Sequence, residues 1–336
     1  MMNLYTTLQK LCVCPSVSGR EDAIREMLRE RIAPFVDEIS VDHLGNLIAR
    51  KAGAKTEAKK VMLCAHMDEI GFLVTFIEEN GMLRIAPVGG IHFSAAAFGE
   101  VISERGVLGV IVPEDKTKAK DYAADKFYID IGAKNRKGAE RRVSVGDFFV
   151  IRGGVRRLAG SRICGRPLDD RIGCAVLLEL AEQLSSRSLD SDVYYVFSVQ
   201  EEVGCRGALP ATFGIAPDVA LCFDVTGTGD TPSSTPMACS LGKGAAVKIK
   251  DSSVICHEEI VASLCAIAEE KKIPYQREIL LYGGTDTSSM QLTGVGCRAG
   301  ALSIPCRYIH SAVELCDLGD AEACIDLAEQ FVLTIK

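Results

Sequence analysis

A chain of 336 residues, 48% apolar and 25% charged, has room for one large domain or two ordinary ones and is too apolar for disorder. Its formal charge of −7 offers no electrostatic case for nucleic acid, which needs clustered Lys and Arg. No stretch reaches the ~18 uninterrupted apolar residues that span a bilayer. The opening run Met1 to Lys10 lacks a basic start followed by an apolar segment, so no secretory signal is expected. The 14 cysteines are scattered, contain no CxxC pair and mostly sit inside apolar runs. They read as buried free thiols in a reducing cytoplasm rather than as a disulfide scaffold.

In chain order, residues 3–12 and 21–35 read as helices, with Ser18 as a plausible cap of the second. Residues 39–50 alternate like a hairpin. The wholly apolar Val61 to Ala65 suits a buried parallel strand. From Gly71 to Ile163 the texture changes to short β-branched runs split by glycines, such as Gly106-Val107-Leu108-Gly109-Val110-Ile111-Val112. Helical periodicity is weak there, except around 118–126. Closely spaced short strands predict a small sandwich or barrel.

After Gly165, helices and strands alternate again. Helices are expected over Asp169 to Leu184, 254–271, 285–292 and 318–335. Strands are expected over Val193 to Val199, Val219 to Phe223, 246–250, 276–281 and 297–304. This predicts an α/β fold, a mostly parallel sheet with helices on both faces, interrupted by an inserted β-sandwich or barrel. Residues 1–70 and 164–336 would form the catalytic domain and 71–163 the insert.

Ligands of open α/β sheets bind beyond the carboxyl ends of the strands, and there the apolar runs end in acids or histidine. His66 follows Val61 to Ala65, and Asp68 lies two residues on, where it can take one imidazole N–H and leave the other nitrogen for a metal. Asp169-Asp170-Arg171 opens an apolar helix, where acids also serve as plain caps. Glu201-Glu202 ends the third run with side chains that diverge, one suited to be a ligand and the other a base. Asp224 follows five apolar residues and needs a cation or hydrogen bonds if buried. His310 comes after the last strand. His43, His92 and His257 lack acidic company and read as structural or surface residues.

Together His66, Asp169, Glu202, Asp224 and His310 could hold two divalent ions. Mixed nitrogen and carboxylate ligands suit Zn²⁺, Co²⁺ or Mn²⁺. Three carboxylates and a bridging hydroxide would neutralise two dications held roughly 3.5–4 Å apart. Glu201 would then remain free as a general base.

The chain resembles the M42 family of metallo-aminopeptidases, whose glutamyl, leucyl and lysyl members form tetrahedral particles and some of which carry the name cellulase M. The matching segments run in family order: Ala65-His66-Met67-Asp68-Glu69-Ile70-Gly71, Leu168-Asp169-Asp170-Arg171-Ile172-Gly173, Val199-Gln200-Glu201-Glu202-Val203-Gly204, Phe223-Asp224-Val225-Thr226, Gly283-Gly284-Thr285-Asp286 and Arg307-Tyr308-Ile309-His310-Ser311. The resemblance implies that His66 and Asp224 bind one metal, His310 and Glu202 the other, with Asp169 bridging. It implies Glu201 as the base and Asp68 as the residue that orients His66. Asp169 is chosen over Asp170 by its place four residues before Gly173, and in related two-metal peptidases the peptide bond after the bridging Asp is commonly cis. The chain departs from the family pattern at Arg166-Pro167, at Gly244-Ala245, at Ala312 and at His92, none of them a ligand.

The expected function is therefore a two-metal aminopeptidase that removes N-terminal residues from short peptides through a metal-bridging hydroxide. The resemblance further implies a homo-oligomer, a tetrahedral dodecamer assembled through the insert, and the charge and hydropathy above argue for no nucleic-acid or membrane partner. Gly283 to Ser289 and the loop after Asp224 are expected near the specificity pocket. Two other readings stand beside this one. A glycoside hydrolase would use two carboxylic acids and no metal, and a metal-stabilised scaffold would have lost catalysis.

Overall fold

The computed structural model describes residues 3–336. Hydrophobic alternation sets its centre. Along the Lys60–His66 strand, Val61, Leu63 and Ala65 face one core and Met62 and Cys64 face another. Neither face meets solvent, which is why the run is apolar without a break. The strand lies between Asp192–Ser198 and Val219–Thr226, both parallel to it, and Ala299–Arg307 runs parallel beyond Val219–Thr226.

This parallel centre belongs to an 11-stranded sheet with antiparallel margins. On one side the Glu38–Val41 and Leu47–Lys51 hairpin pairs with Asp192–Ser198. On the other, Glu314–Asp317 pairs with Ala299–Arg307 and then with Arg162–Arg166. Ala245–Lys250 and Tyr275–Ile279 branch off, paired to each other and through the former to Ala299–Arg307.

Helices Leu4–Leu11, Asp22–Ile32, Arg171–Ser185, Glu258–Lys271 and Leu318–Thr334 bury their apolar residues in the larger core. Residues of Ala208–Ile215 and of the short Thr287–Gln291 helix cover the other face. The Arg171–Ser185 helix is buried nearly all round, as a helix between a sheet and other helices must be.

The strands Gly71–Ile77, Leu83–Val88, Phe127–Asp130, Leu108–Pro113, Glu100–Ser103 and Phe148–Ile151 close into a barrel in that order. Phe72, Leu83, Val101, Ile111, Phe127 and Phe149 fill it. Closure removes the edge strands that such short segments would otherwise expose.

Several details differ from the sequence expectations. The boundary drawn at residue 163 falls inside Arg162–Arg166, which pairs with Gly154–Arg157 and with Glu314–Asp317 of the large sheet. Barrel pairing ends at Ile151. β-branched residues and glycines mark both hairpin and barrel, so composition could not separate them. The weak helical signal at 118–126 resolves into two 3₁₀ turns, Ala119–Asp121 and Ala124–Lys126. The Ala208–Ile215 helix was not anticipated, since Pro210 and Gly214 interrupt its pattern. Ser18 caps no helix. Glu21 occupies the cap position of Asp22–Ile32, and the Ser18 hydroxyl donates to Asp68 Oδ2 at 2.6 Å.

All fourteen cysteines are free, ten of them buried. Among the described residues no helix is long and apolar enough to cross a membrane.

Leu177 is fully buried in the larger core. Leu177→Ala should lower stability by about 2–5 kcal/mol, read as a reduced urea midpoint with an unchanged slope.

Candidate metal centre

The parallel strands all point their carboxyl ends to one rim, and the chemistry collects there. His66 is the last residue of its strand, and Asp224 lies near the end of Val219–Thr226. Glu201 and Glu202 follow Asp192–Ser198, and His310 follows Ala299–Arg307. Asp169 and Asp170 precede the Arg171–Ser185 helix.

Asp169 stands between the two imidazoles. Its Oδ1 is 3.1 Å from His66 Nε2 and its Oδ2 is 3.1 Å from His310 Nε2. Beyond His66 lies Asp224, with Oδ1 3.8 Å from the same Nε2. Beyond His310 lies Glu202, with Oε2 3.1 Å from its Nε2. His66, Asp169 and Glu202 offer donor atoms within 4.8 Å of one another, as do His66, Asp170 and Asp224. All five residues expected to be ligands are thus gathered in one place. The peptide bonds Arg166–Pro167 and Asp169–Asp170 are both cis.

Asp170 is held apart from Asp169 by its own duty. Its Oδ1 accepts from Gly173 N at 3.0 Å and caps the following helix. A Cβ at residue 173 would lie 2.3 Å from Asp170 Oδ2, so the cap requires glycine there. Asp170 nevertheless remains among the acids beside His66.

Asp68 organises the neighbourhood. His66 Nδ1 lies 3.1 Å from the Asp68 carbonyl and 3.4 Å from its Oδ1, which puts the proton on Nδ1 and leaves Nε2 facing Asp169. The same carboxylate accepts from Glu201 N at 3.0 Å and Glu202 N at 3.2 Å. Gln200, just before them, has a left-handed φ of 56° and donates its N–H to Glu21 Oε1. The turn that carries both glutamates is therefore fixed from two sides.

Glu314 plays a matching part beneath Asp169. Its Oε2 accepts from Leu168 N at 2.6 Å and Asp169 N at 3.1 Å, and its Oε1 from His310 N at 3.3 Å. Arg166 pairs with that Oε1 at 3.3 Å and also donates to the Ser311 carbonyl at 2.6 Å. Sequence reasoning passed over this pair. Arg166 was noted only as a departure from the family pattern, and Glu314 lies four residues past His310, a spacing that could have suggested a shared turn.

The electrostatics favour cations at this rim. Burial pushes Glu201, Asp170 and Asp224 well above the usual carboxylate range, and neighbouring acids push them further. Glu202 is raised by burial and by Asp169. Burial alone would lower His310, yet its bonds to Asp169 and Glu202 raise it to about 11. Burial likewise opposes a raised His66, but Asp169 and Asp68 lift it well above its ordinary value. A field that holds two imidazoles as cations would be satisfied better by divalent ions, with both rings neutral and ligating. Mixed imidazole and carboxylate donors fit Zn²⁺, Co²⁺ or Mn²⁺.

The cluster opens into a cleft of about 500 Å³. Val225, Thr226 and Gly227 line it, with Leu280, Tyr282, Gly283 and Gly284 opposite. These are the loop after Asp224 and the start of the 283–289 segment that the sequence pointed to. His92, expected to be structural or surface, is exposed and lines the same cleft.

Known proteins resemble this chain along nearly its whole length. A family profile described as M42 glutamyl aminopeptidase matches residues 45–327. A protein of Acetivibrio thermocellus, provisionally named an aminopeptidase, is 44% identical over 97% of both chains. The solved structure of an aminopeptidase from the archaeon Desulfurococcus kamchatkensis is 37% identical, with a TM-score of 0.94 over 98% of this chain and 94% of its own. The TET1 peptidase of Pyrococcus horikoshii, whose structure is described as assembling into a tetrahedron or a large octahedral shell, is 33% identical, with a TM-score of 0.87 over 98% and 99% of the two chains.

Glu314→Ala would leave Arg166 charged and buried without its carboxylate partner. It should cost about 3–5 kcal/mol, measured by chemical denaturation, and Arg166→Met combined with Glu314→Leu should recover part of that loss.

Proposed function

Because the chain belongs to the M42 glutamyl aminopeptidase family, and is a peptide hydrolase of that kind, we propose that it is a two-metal aminopeptidase acting on short peptides. The observation that carries this reading is the position of Asp169, one oxygen facing each imidazole at 3.1 Å. In the proposed arrangement His66 and Asp224 would hold one ion, His310 and Glu202 the other, and Asp169 would serve both. Zn²⁺ or Co²⁺ suits these donors best, and Mn²⁺ is acceptable.

When bound, the ions supply Lewis acidity to the attacking water and to the scissile carbonyl. The protein supplies the rest. Glu201 is partly buried and lines the cleft, and the ion pairs of His66 and His310 go to Asp68, Asp169, Asp224 and Glu202 instead. Its raised pKa suits a group that takes a proton from water and returns it to the leaving amine. Asp68 keeps His66 in the tautomer that ligates, and its bonds to the 201 and 202 amides hold base and ligand in fixed relation. Carboxylates at the closed end of the cleft suit a free α-amine, which favours N-terminal residues.

A glycosidase would need two acids as acid and base or nucleophile, but it has no use for two imidazoles wedged between them. An inactive scaffold would have no use for Glu201. The inserted domain leaves Phe76, Phe98, Leu108, Val110 and Val145 exposed, apolar side chains that contact with another copy would cover. We read them as part of an assembly surface for a homo-oligomer, a tetrahedral dodecamer; the Pyrococcus horikoshii peptidase is described as assembling into a tetrahedron or a large octahedral shell. The free cysteines support a reducing cytoplasm as its location.

Glu201→Gln should retain its metal while turnover of aminoacyl-nitroanilides falls about 10²–10⁴-fold, and near-normal turnover would refute the base assignment. Light scattering should give about twelve times the chain mass, and a monomer would refute the assembly.

A further inference from the structure

Beside the proposed metal pair lies a second group of donors with no part in it. Glu201, Cys205 and Asp286 place a carboxylate oxygen, a thiol and a carboxylate oxygen within 4.8 Å of one another. Cys205 Sγ donates to Glu201 Oε1 at 3.1 Å. Asp286 is 1% exposed. Its Oδ2 accepts from the Ser198 hydroxyl and from the Cys64 thiol, whereas its Oδ1 has no hydrogen-bond partner. A buried, unpartnered carboxylate oxygen is costly unless a cation or donor reaches it. Cys205 lines the same cleft as Glu201 and is half-buried, so an ion can enter.

We propose that Cys205, Asp286 and Glu201 form a third cation site, selective for thiophilic divalent ions such as Zn²⁺ and Cd²⁺, that inhibits the enzyme when filled. Two donors on a tetrahedral ion stand roughly 3.5 Å apart, given bond lengths of about 2.0–2.3 Å. The Cys205–Glu201 separation of 3.1 Å is close to that already, and an Asp286 carboxylate oxygen lies within 4.8 Å of both donors. One thiolate and two carboxylates make a soft, anionic set that Mg²⁺ and Ca²⁺ do not favour. Binding expels the thiol proton to solvent and leaves water in the fourth position. Filling the site takes the Glu201 carboxylate out of use. The inhibition therefore rests on Glu201 being the general base, whereas the site itself does not.

The mechanism predicts that enzyme carrying its resident metals works at low free zinc and loses activity as zinc rises. Cys205 is the residue on which this depends. Its sequence signal is weak, a cysteine three residues after Glu202, and Asp286 appeared only within the Gly283-Gly284-Thr285-Asp286 run.

The test starts from metal-loaded protein, with Cys205→Ser and Cys205→Ala beside the natural chain. Equilibrium dialysis against zinc should give one more equivalent per chain in the natural protein than in either variant. Cadmium should produce an ultraviolet thiolate-to-metal band that both variants lack. Excess zinc should inhibit nitroanilide hydrolysis, and at least tenfold more zinc should be needed in the variants, each compared with its own uninhibited rate. Equal zinc uptake and equal cadmium bands in all three proteins would overturn the site. An extra equivalent and band that vanish with Cys205, without inhibition, would support the site and overturn the reading of Glu201 as base.

Discussion

Six carboxylates, from Asp68, Asp169, Asp170, Glu201, Glu202 and Asp224, crowd around two imidazoles at one end of the sheet, the four aspartates buried and the two glutamates partly so. That density of desolvated negative charge is the constraint on which the rest of the molecule depends. Like charges at these distances cannot all stay ionised without compensation. The fold answers in two ways. Hydrogen bonds stabilise particular carboxylates, as the Glu201 and Glu202 amides and the Ser18 hydroxyl do for Asp68. Elsewhere the charge is left uncompensated, and there cations are expected.

The supporting structure is built to keep those acids from relaxing apart. The parallel strands, covered on both faces, fix where His66 and Asp224 emerge. The Arg166–Glu314 pair ties together the turns bearing Asp169 and His310. Asp170 spends one oxygen on the helix cap. Arg171 is fully buried, donates to the Leu11 carbonyl at 3.0 Å and lies 3.6 Å from Glu69, so the N-terminal helix is anchored to the same turn. A site made of loop ends thereby gains the rigidity of the sheet.

Much of this was legible in the sequence because buried parallel strands announce themselves. Val61 to Ala65 and Val219 to Phe223 have no reason to be wholly apolar unless both faces are covered, and polar residues that interrupt such runs at their carboxyl ends belong to the site. The same reasoning gathered His66, Glu201, Glu202, Asp224 and His310. Family resemblance was needed for the choice between Asp169 and Asp170, since adjacent acids before a helix read alike. What stayed hidden was long-range. Ser18 looked like a cap because helix-start chemistry is local, yet its partner Asp68 is 50 residues away. Glu314 and Asp286 act largely through bonds to distant segments, and local sequence does not reveal those partners. The barrel limit was misplaced because the hairpin after it shares the barrel's composition but pairs with the large sheet.

The central claim is that one aspartate joins two separate cation positions. Anomalous diffraction at the absorption edge of the loaded metal tests it most directly. The account predicts two peaks per chain roughly 3.5–4 Å apart, one beside His66 and Asp224, the other beside His310 and Glu202, with an Asp169 oxygen on each. A single peak in fully active protein, or peaks that bypass Asp169, would contradict it.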